Sequence, residues 1–122
     1  MEWRVEFRPE FVEEFAELSE PVQDEIAALI DVLKVIGPQL KRPGSDTLGG
    51  SAHANMKELR FDADDGVWRV AYAFDPQRRA ILLVAGDKSG VSQKRFYKTL
   101  ITKADARFNE HLAALKRMEK PK

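Results

Sequence analysis

Between His53 and Tyr97 the 122-residue sequence places cations on or just beyond three strand-like runs. The runs read HANMKELRF, VWRVAYAF and AILLVAGDK, followed by SGVSQKRFY, and they carry Lys57, Arg60, Arg69, Lys88, Lys94 and Arg95, with Lys98 just beyond. A small sheet with positive charge at its ends suits binding, and cleavage, of a polyanion. RNA cleavage without a metal requires a base for the ribose 2′-hydroxyl, an acid for the departing 5′-oxygen and fixed positive charge around the phosphorus. Arginine fits the last role because it stays charged and grips phosphate with a planar fork. Lysine or histidine serves the proton steps when its surroundings tune its pKa.

Each candidate also has an ordinary reading. Arg69 lies inside an apolar strand, where a cation is unfavourable unless its face is open or paired; it is either part of a site or the solvent face of an amphipathic strand. Lys88 follows Gly86-Asp87, which is a place for close ligand approach or a plain turn. His53 stands in a small-residue loop, and His111 reads as surface on the last helix. Tyr97 either stacks on a base or joins Phe96 in the core. Lys94, Arg95 and Lys98 open a helix, where cations oppose the macrodipole and an anionic partner would explain them. No GxGxxG, P-loop, GxSxG or HExxH pattern is present.

These residues need elements to position them. Trp3, Val5 and Phe7 alternate with charged residues, as a half-buried strand does. Pro9 starts a helix with Phe11, Phe15 and Leu18 on one stripe; Ser19-Glu20-Pro21 restarts a second through Leu33, closed by Gly37-Pro38. Residues 38–55 read as a loop, and 56–87 as a three-strand meander with turns at Asp64-Asp65-Gly66 and Asp75-Pro76-Gln77. Phe96, Leu100, Ala104, Phe108, Leu112 and Leu115 mark a C-terminal helix over 92–117, with a frayed charged tail from Lys116. The order is β-α-α-β-β-β-α: a strand at 1–8, a helical hairpin at 9–37, a small, largely antiparallel sheet and a last helix, an α+β fold in one domain over 1–122.

Composition narrows the class. Hydrophobic content of 43% with 33% charged residues fits one globular domain. No apolar run is long enough to span a membrane, and MEWRVEFRPE lacks a signal pattern. There is no cysteine and there are only two histidines, so no cofactor and no metal are expected, and the cytoplasm is the default compartment. Net charge is zero, yet residues 1–36 hold ten acids and three bases while 37–122 hold ten acids and seventeen bases. A neutral total can therefore conceal a basic face.

The phrases MKELRF, GVWRVAYAFDPQRRAILLVAGDK and KRFYKTLITKADARF, in this order of elements, resemble the RelE/HigB-type toxins of type II toxin–antitoxin modules, in the phage-derived Gp49-like branch of the RelE/ParE superfamily. The resemblance covers nearly the whole chain and is most specific from His53 to Phe108. It implies a ribosome-dependent mRNA endonuclease, silenced by a cognate antitoxin that is often a small helix-turn-helix protein, with ribosome and mRNA as its targets. By this resemblance the strand arginine is Arg69, the cation after the last strand is Lys88 and the aromatic is Tyr97. Lys57 or Arg60 supplies the cation before the turn. Where relatives carry a second lysine on that strand this sequence has Glu58, which leaves His53 or Lys57 as the proton acceptor. Lys94, Arg95 and Lys98 would steer the protein to ribosomal RNA. Sister families offer two alternatives: a ParE-like toxin that acts on gyrase without cutting RNA, and a non-toxic module that only binds its antitoxin.

Overall fold

The computed structural model describes residues 2–119. They run β1 (Arg4–Phe7), α1 (Pro9–Ala16), α2 (Glu20–Ile36), β2 (Ser45–Thr47), β3 (Lys57–Ala63), β4 (Gly66–Phe74), β5 (Arg79–Asp87) and α3 (Gln93–Glu119), with a 3-10 turn at Gly37–Gln39. The strands form one sheet in the order β1-β5-β4-β3-β2, parallel between β1 and β5 and antiparallel elsewhere. The architecture is α+β.

Side-chain alternation on β4 explains the layering. Ala71 and Ala73 face α3, where they pack with Ile81, Leu83, Phe96, Leu100, Ala104 and Phe108. Val70 and Tyr72 point the other way, toward Phe11, Val22, Ile26 and Leu33 of α1 and α2. The two small alanines let α3 lie close to the sheet, and Gly86 extends that approach: a Cβ there would stand 2.9 Å from the Phe96 ring. β5, paired on both sides and covered on both faces, is almost wholly apolar from Ala80 to Val84, as a central strand must be. The β3–β4 hairpin turns through Asp64 and Asp65, both at positive φ (51° and 61°). That pair of left-handed residues matches the twist of the flanking strands.

Two features differ from the sequence reading. The segment 38–55 contains β2, whose three residues pair antiparallel with β3. Ser-Asp-Thr has no apolar pattern, so nothing local announces a strand. Its anchor is tertiary, a 2.6 Å hydrogen bond between the Ser45 and Tyr72 hydroxyls inside the core. His111, read as surface, is buried, with Nε2 2.8 Å from Asp75 Oδ2. At the C-terminus α3 continues through Lys116 to Glu119, and residues 120–122 of the expected tail lie outside the described residues.

Gly37 ends α2 at φ +65°. A Cβ there would meet the Trp3 indole at 2.3 Å. Trp3 itself sits edge-on against Phe74 (5.3 Å) under the Arg78 guanidinium (4.8 Å), so it has little room to yield. Gly37→Ala therefore combines a left-handed backbone with overpacking and is expected to lower stability by roughly 2–5 kcal/mol. A urea midpoint shift without a change in slope would show it; an unchanged midpoint would refute it.

Candidate functional site

Strand parity decides which charges meet. On β3, Glu58 and Arg60 point to the α3 side, because Glu58 pairs with Ala71 and Arg60 lies directly opposite Arg69. Two arginines facing each other across a ladder repel. Glu58 relieves this by accepting from Arg60 Nη1 at 2.8 Å while its other oxygen lies 3.8 Å from Arg69 Nε. Arg69 is only 5% exposed and Glu58 3%. The guanidinium also donates from Nη1 to the Trp68 carbonyl (2.8 Å) and from Nε to the Tyr97 hydroxyl (3.3 Å). Arg69 is thus a paired, nearly buried cation, and not an arginine on an open solvent face.

The end of β5 and the start of α3 complete the cluster. Asp87 accepts from the Val67 and Ser89 backbone N–H groups and from the Ser89 hydroxyl, fixing the turn that presents Lys88. Lys88 Nζ stands 5.8 Å from the centroid of the Tyr97 ring. Burial, then the Arg69 and Arg60 charges, hold the Lys88 pKa below the ordinary lysine value. Burial first, with the Glu58 charge adding to it, raises the Tyr97 phenol, which stays protonated. Glu58, Arg60, Lys88, Gln93 and Tyr97 line one cavity of about 350 Å³. A neighbouring concavity of about 410 Å³ runs past Arg42, Arg60 and Arg69 toward Phe61. Ser92 receives the Arg95 N–H on its hydroxyl (3.3 Å), and Lys94, Arg95 and Lys98 stand exposed on the first turns of α3 beside Gln93 and Tyr97.

Two expected residues lie elsewhere. Lys57, one position from Glu58, points to the opposite face, where Nζ donates to the Pro38 and Leu40 carbonyls at 3.1 and 3.2 Å. Burial lowers its pKa, but its donors secure the 3-10 turn that follows α2. His53 packs edge-on against Phe108 (4.9 Å) with Nε2 2.8 Å from Asn109 Oδ1, along the far part of α3. Neither side chain enters the arginine cluster. Glu58, Arg42 and Gln93 do line the site without having been singled out for it. For Glu58 the signal was available: it shares the parity of Arg60 on a strand. Arg42 and Gln93 arrive through the fold of a loop and a helix start.

The model of the phage-derived protein Gp49-like family matches residues 13–109. The chain belongs to this family. The Gp49-like chain is also 46% identical over 89 residues to the Mycobacterium tuberculosis protein named "Putative toxin HigB2", covering 72% of this chain and 44% of that one. It is 42% identical over 100 residues to "Putative toxin HigB3" of the same organism, covering 82% and 85%. It thus spans less than half of the first relative and most of the second. Among solved structures, a free-state arginine-to-alanine double mutant of E. coli toxin RelE superposes with TM-score 0.60 at 12% identity, over 84% of this chain and 97% of that one. The archaeal RelE–RelB complex of Pyrococcus horikoshii gives a match of TM-score 0.54 at 17% identity, over 75% and 100%. The Gp49-like chain therefore has a RelE-like fold and HigB-type toxins as its sequence relatives. No described helix is long and apolar enough to cross a membrane.

Proposed function

We propose that this protein is the toxin of a type II toxin–antitoxin pair and acts as a ribosome-dependent mRNA endonuclease in the cytoplasm. The observation that carries this reading is the convergence of Arg60, Arg69, Lys88 and Tyr97 on two neighbouring concavities that share Arg42 and Arg60, with Arg69 bonded to the Tyr97 hydroxyl. Arg69 and Arg60 grip the scissile phosphate and neutralise charge that grows in the phosphorane. Tyr97, held by Arg69 and flanked by Lys88, orients the nucleotide or stacks on its base. Lys94, Arg95 and Lys98 extend the positive surface toward ribosomal RNA. The partner that silences the toxin is a small antitoxin that covers these cations with an acidic segment.

Induction in a bacterial cell, with mRNA 5′ ends mapped and the DNA-damage response followed, tests the reading. Growth arrest with cuts inside translated codons is expected. Arrest with DNA damage and no cuts would replace the reading with a gyrase-directed one, and unimpaired growth would leave an antitoxin-binding module.

A further inference from the structure

We propose that Gln93 reads a base of the mRNA beside the scissile phosphate, so that this amide sets which codons are cut; the assignment rests on the endonuclease reading. The cavity of about 350 Å³ is a slot with two walls. One is β2 and the residues just after it, Leu48 and Gly49; the other is the start of α3, with Gln93 and Tyr97. β3 and the end of β5 supply Arg60 and Lys88 between them. The walls are tied together. Asp105 of α3 accepts from the Ser51 hydroxyl at 2.5 Å and from the Ala52 N–H at 2.9 Å, and the Leu48 N–H donates to the Met56 carbonyl at 2.9 Å. A slot fixed in this way keeps its width, which recognition of a planar base requires.

Hydrogen bonding sorts the polar side chains along the slot. Asp46 is taken by Arg42, Glu58 by Arg60, and the Tyr97 hydroxyl by Arg69. Thr47 stands opposite Lys57 in the β2–β3 ladder and shares its face, away from the slot. Lys88 and Gln93 remain, with no hydrogen bond from either side chain to another described residue. Charge divides their work. The Lys88 ammonium suits phosphate. The amide is neutral and carries a donor and an acceptor side by side, the pattern that pairs with a base edge. The rotation of α3 makes this choice: Gln93 and Tyr97, four residues apart, share the face on the slot, while Lys94, Arg95 and Lys98 fall outside it. Gln93 is exposed, so a base of a single-stranded codon, with its edges free, reaches the amide without any element moving.

The test is single-turnover cleavage in ribosomes programmed with mRNAs whose decoding-site codon is varied one base at a time, by wild type, Gln93→Ala, Gln93→Glu and Lys94→Ala. Wild type is expected to prefer one base at one codon position. Gln93→Ala lowers cleavage of the preferred codons by about 5- to 150-fold, the range for one bidentate base contact, and leaves the poor codons nearly unchanged. Gln93→Glu, which accepts and cannot donate, changes the order of the bases. Lys94→Ala, outside the slot, lowers all codons by one factor, as loss of a phosphate contact does. Each codon ratio is taken within one variant, so any loss of folded protein cancels from it. The assignment is overturned if wild type cuts all codons equally, if Gln93→Ala lowers every codon by one factor or none, or if Gln93→Glu keeps the wild-type order. In each of these cases mRNA is still cut and the endonuclease reading stands. A wild type that cuts no mRNA sinks that reading and this role together.

Discussion

Arg69→Ala is expected to lower mRNA cleavage by about 10²–10³-fold, the range for loss of one donor that stabilises transition-state charge, and to restore growth on induction. Arg69 has no substitute in its position: one face of its fork holds the Trp68 carbonyl, Nε reaches the Tyr97 hydroxyl, and its charge balances Glu58. Lysine cannot make both contacts from a single ammonium, so Arg69→Lys should recover only a small part of the rate. The same change weakens the fold. Arg69 and Glu58 side chains are 6% and 4% exposed, and removing one partner of such a pair leaves the other without full compensation. Arg60 still holds Glu58, so a loss of roughly 3 kcal/mol is expected, at the lower end for a broken buried pair. Thermal denaturation separates that loss from the catalytic one. His53→Ala, away from the cluster, loses the edge contact with Phe108 and the bond to Asn109, so roughly 1 kcal/mol of stability is expected to go while cleavage stays within about twofold. If His53→Ala were as inactive as Arg69→Ala, the site drawn around the arginines would be wrong.

Asp75→Asn is expected to give the largest loss of stability among the polar substitutions, roughly 3–5 kcal/mol near neutral pH. Its side chain is fully buried. It accepts from His111 Nε2 and Arg79 Nη2, both at 2.8 Å, from Arg79 Nε at 3.1 Å, and from the Gln77 and Arg79 backbone N–H groups at 2.9 and 3.0 Å. An amide can serve only part of this set, and its own N–H group meets donors. These bonds clamp the β4–β5 turn to α3, and Arg79 passes the connection to Glu6 on β1. Burial alone would raise the Asp75 pKa, but the bonds from His111 and Arg79 outweigh it and hold the carboxyl below its ordinary value. The sign follows from proton binding. Between the ordinary value and the lowered one the unfolded chain carries the extra proton, so the contribution is complete above the ordinary carboxylate range and disappears as pH falls through the folded value. Urea midpoints at neutral pH and in acid should therefore converge for wild type and Asp75→Asn. A gap that stays constant into acid would contradict the ionised network.

Both effects come from residues whose type was plain and whose surroundings were not. β4 was legible because Val-Trp-Arg-Val-Ala-Tyr-Ala-Phe alternates, and β5 because a central strand is apolar on both faces. The stripe from Phe96 to Leu115 gave α3, and Pro9, Pro21 and Gly37 bounded the helical hairpin. Local patterns of this kind are set by burial on one face of one element. The cation content of the site could be read too: Arg60 and Arg69 stand within strands and Lys88 directly after one.

What the sequence determined by itself was therefore every element but β2, their order, and a set of cations gathered on the ends of a small sheet. Only the tertiary structure decided which of them meet. Register put Arg60 opposite Arg69 and made Glu58 their shared counter-ion, while parity turned Lys57 to the other face. The packing of α3 carried His53 away and buried His111 on Asp75, and the Ser45–Tyr72 bond made a strand of residues with no strand pattern. Pairing and packing depend on partners tens of residues distant, and a local window holds no term for them.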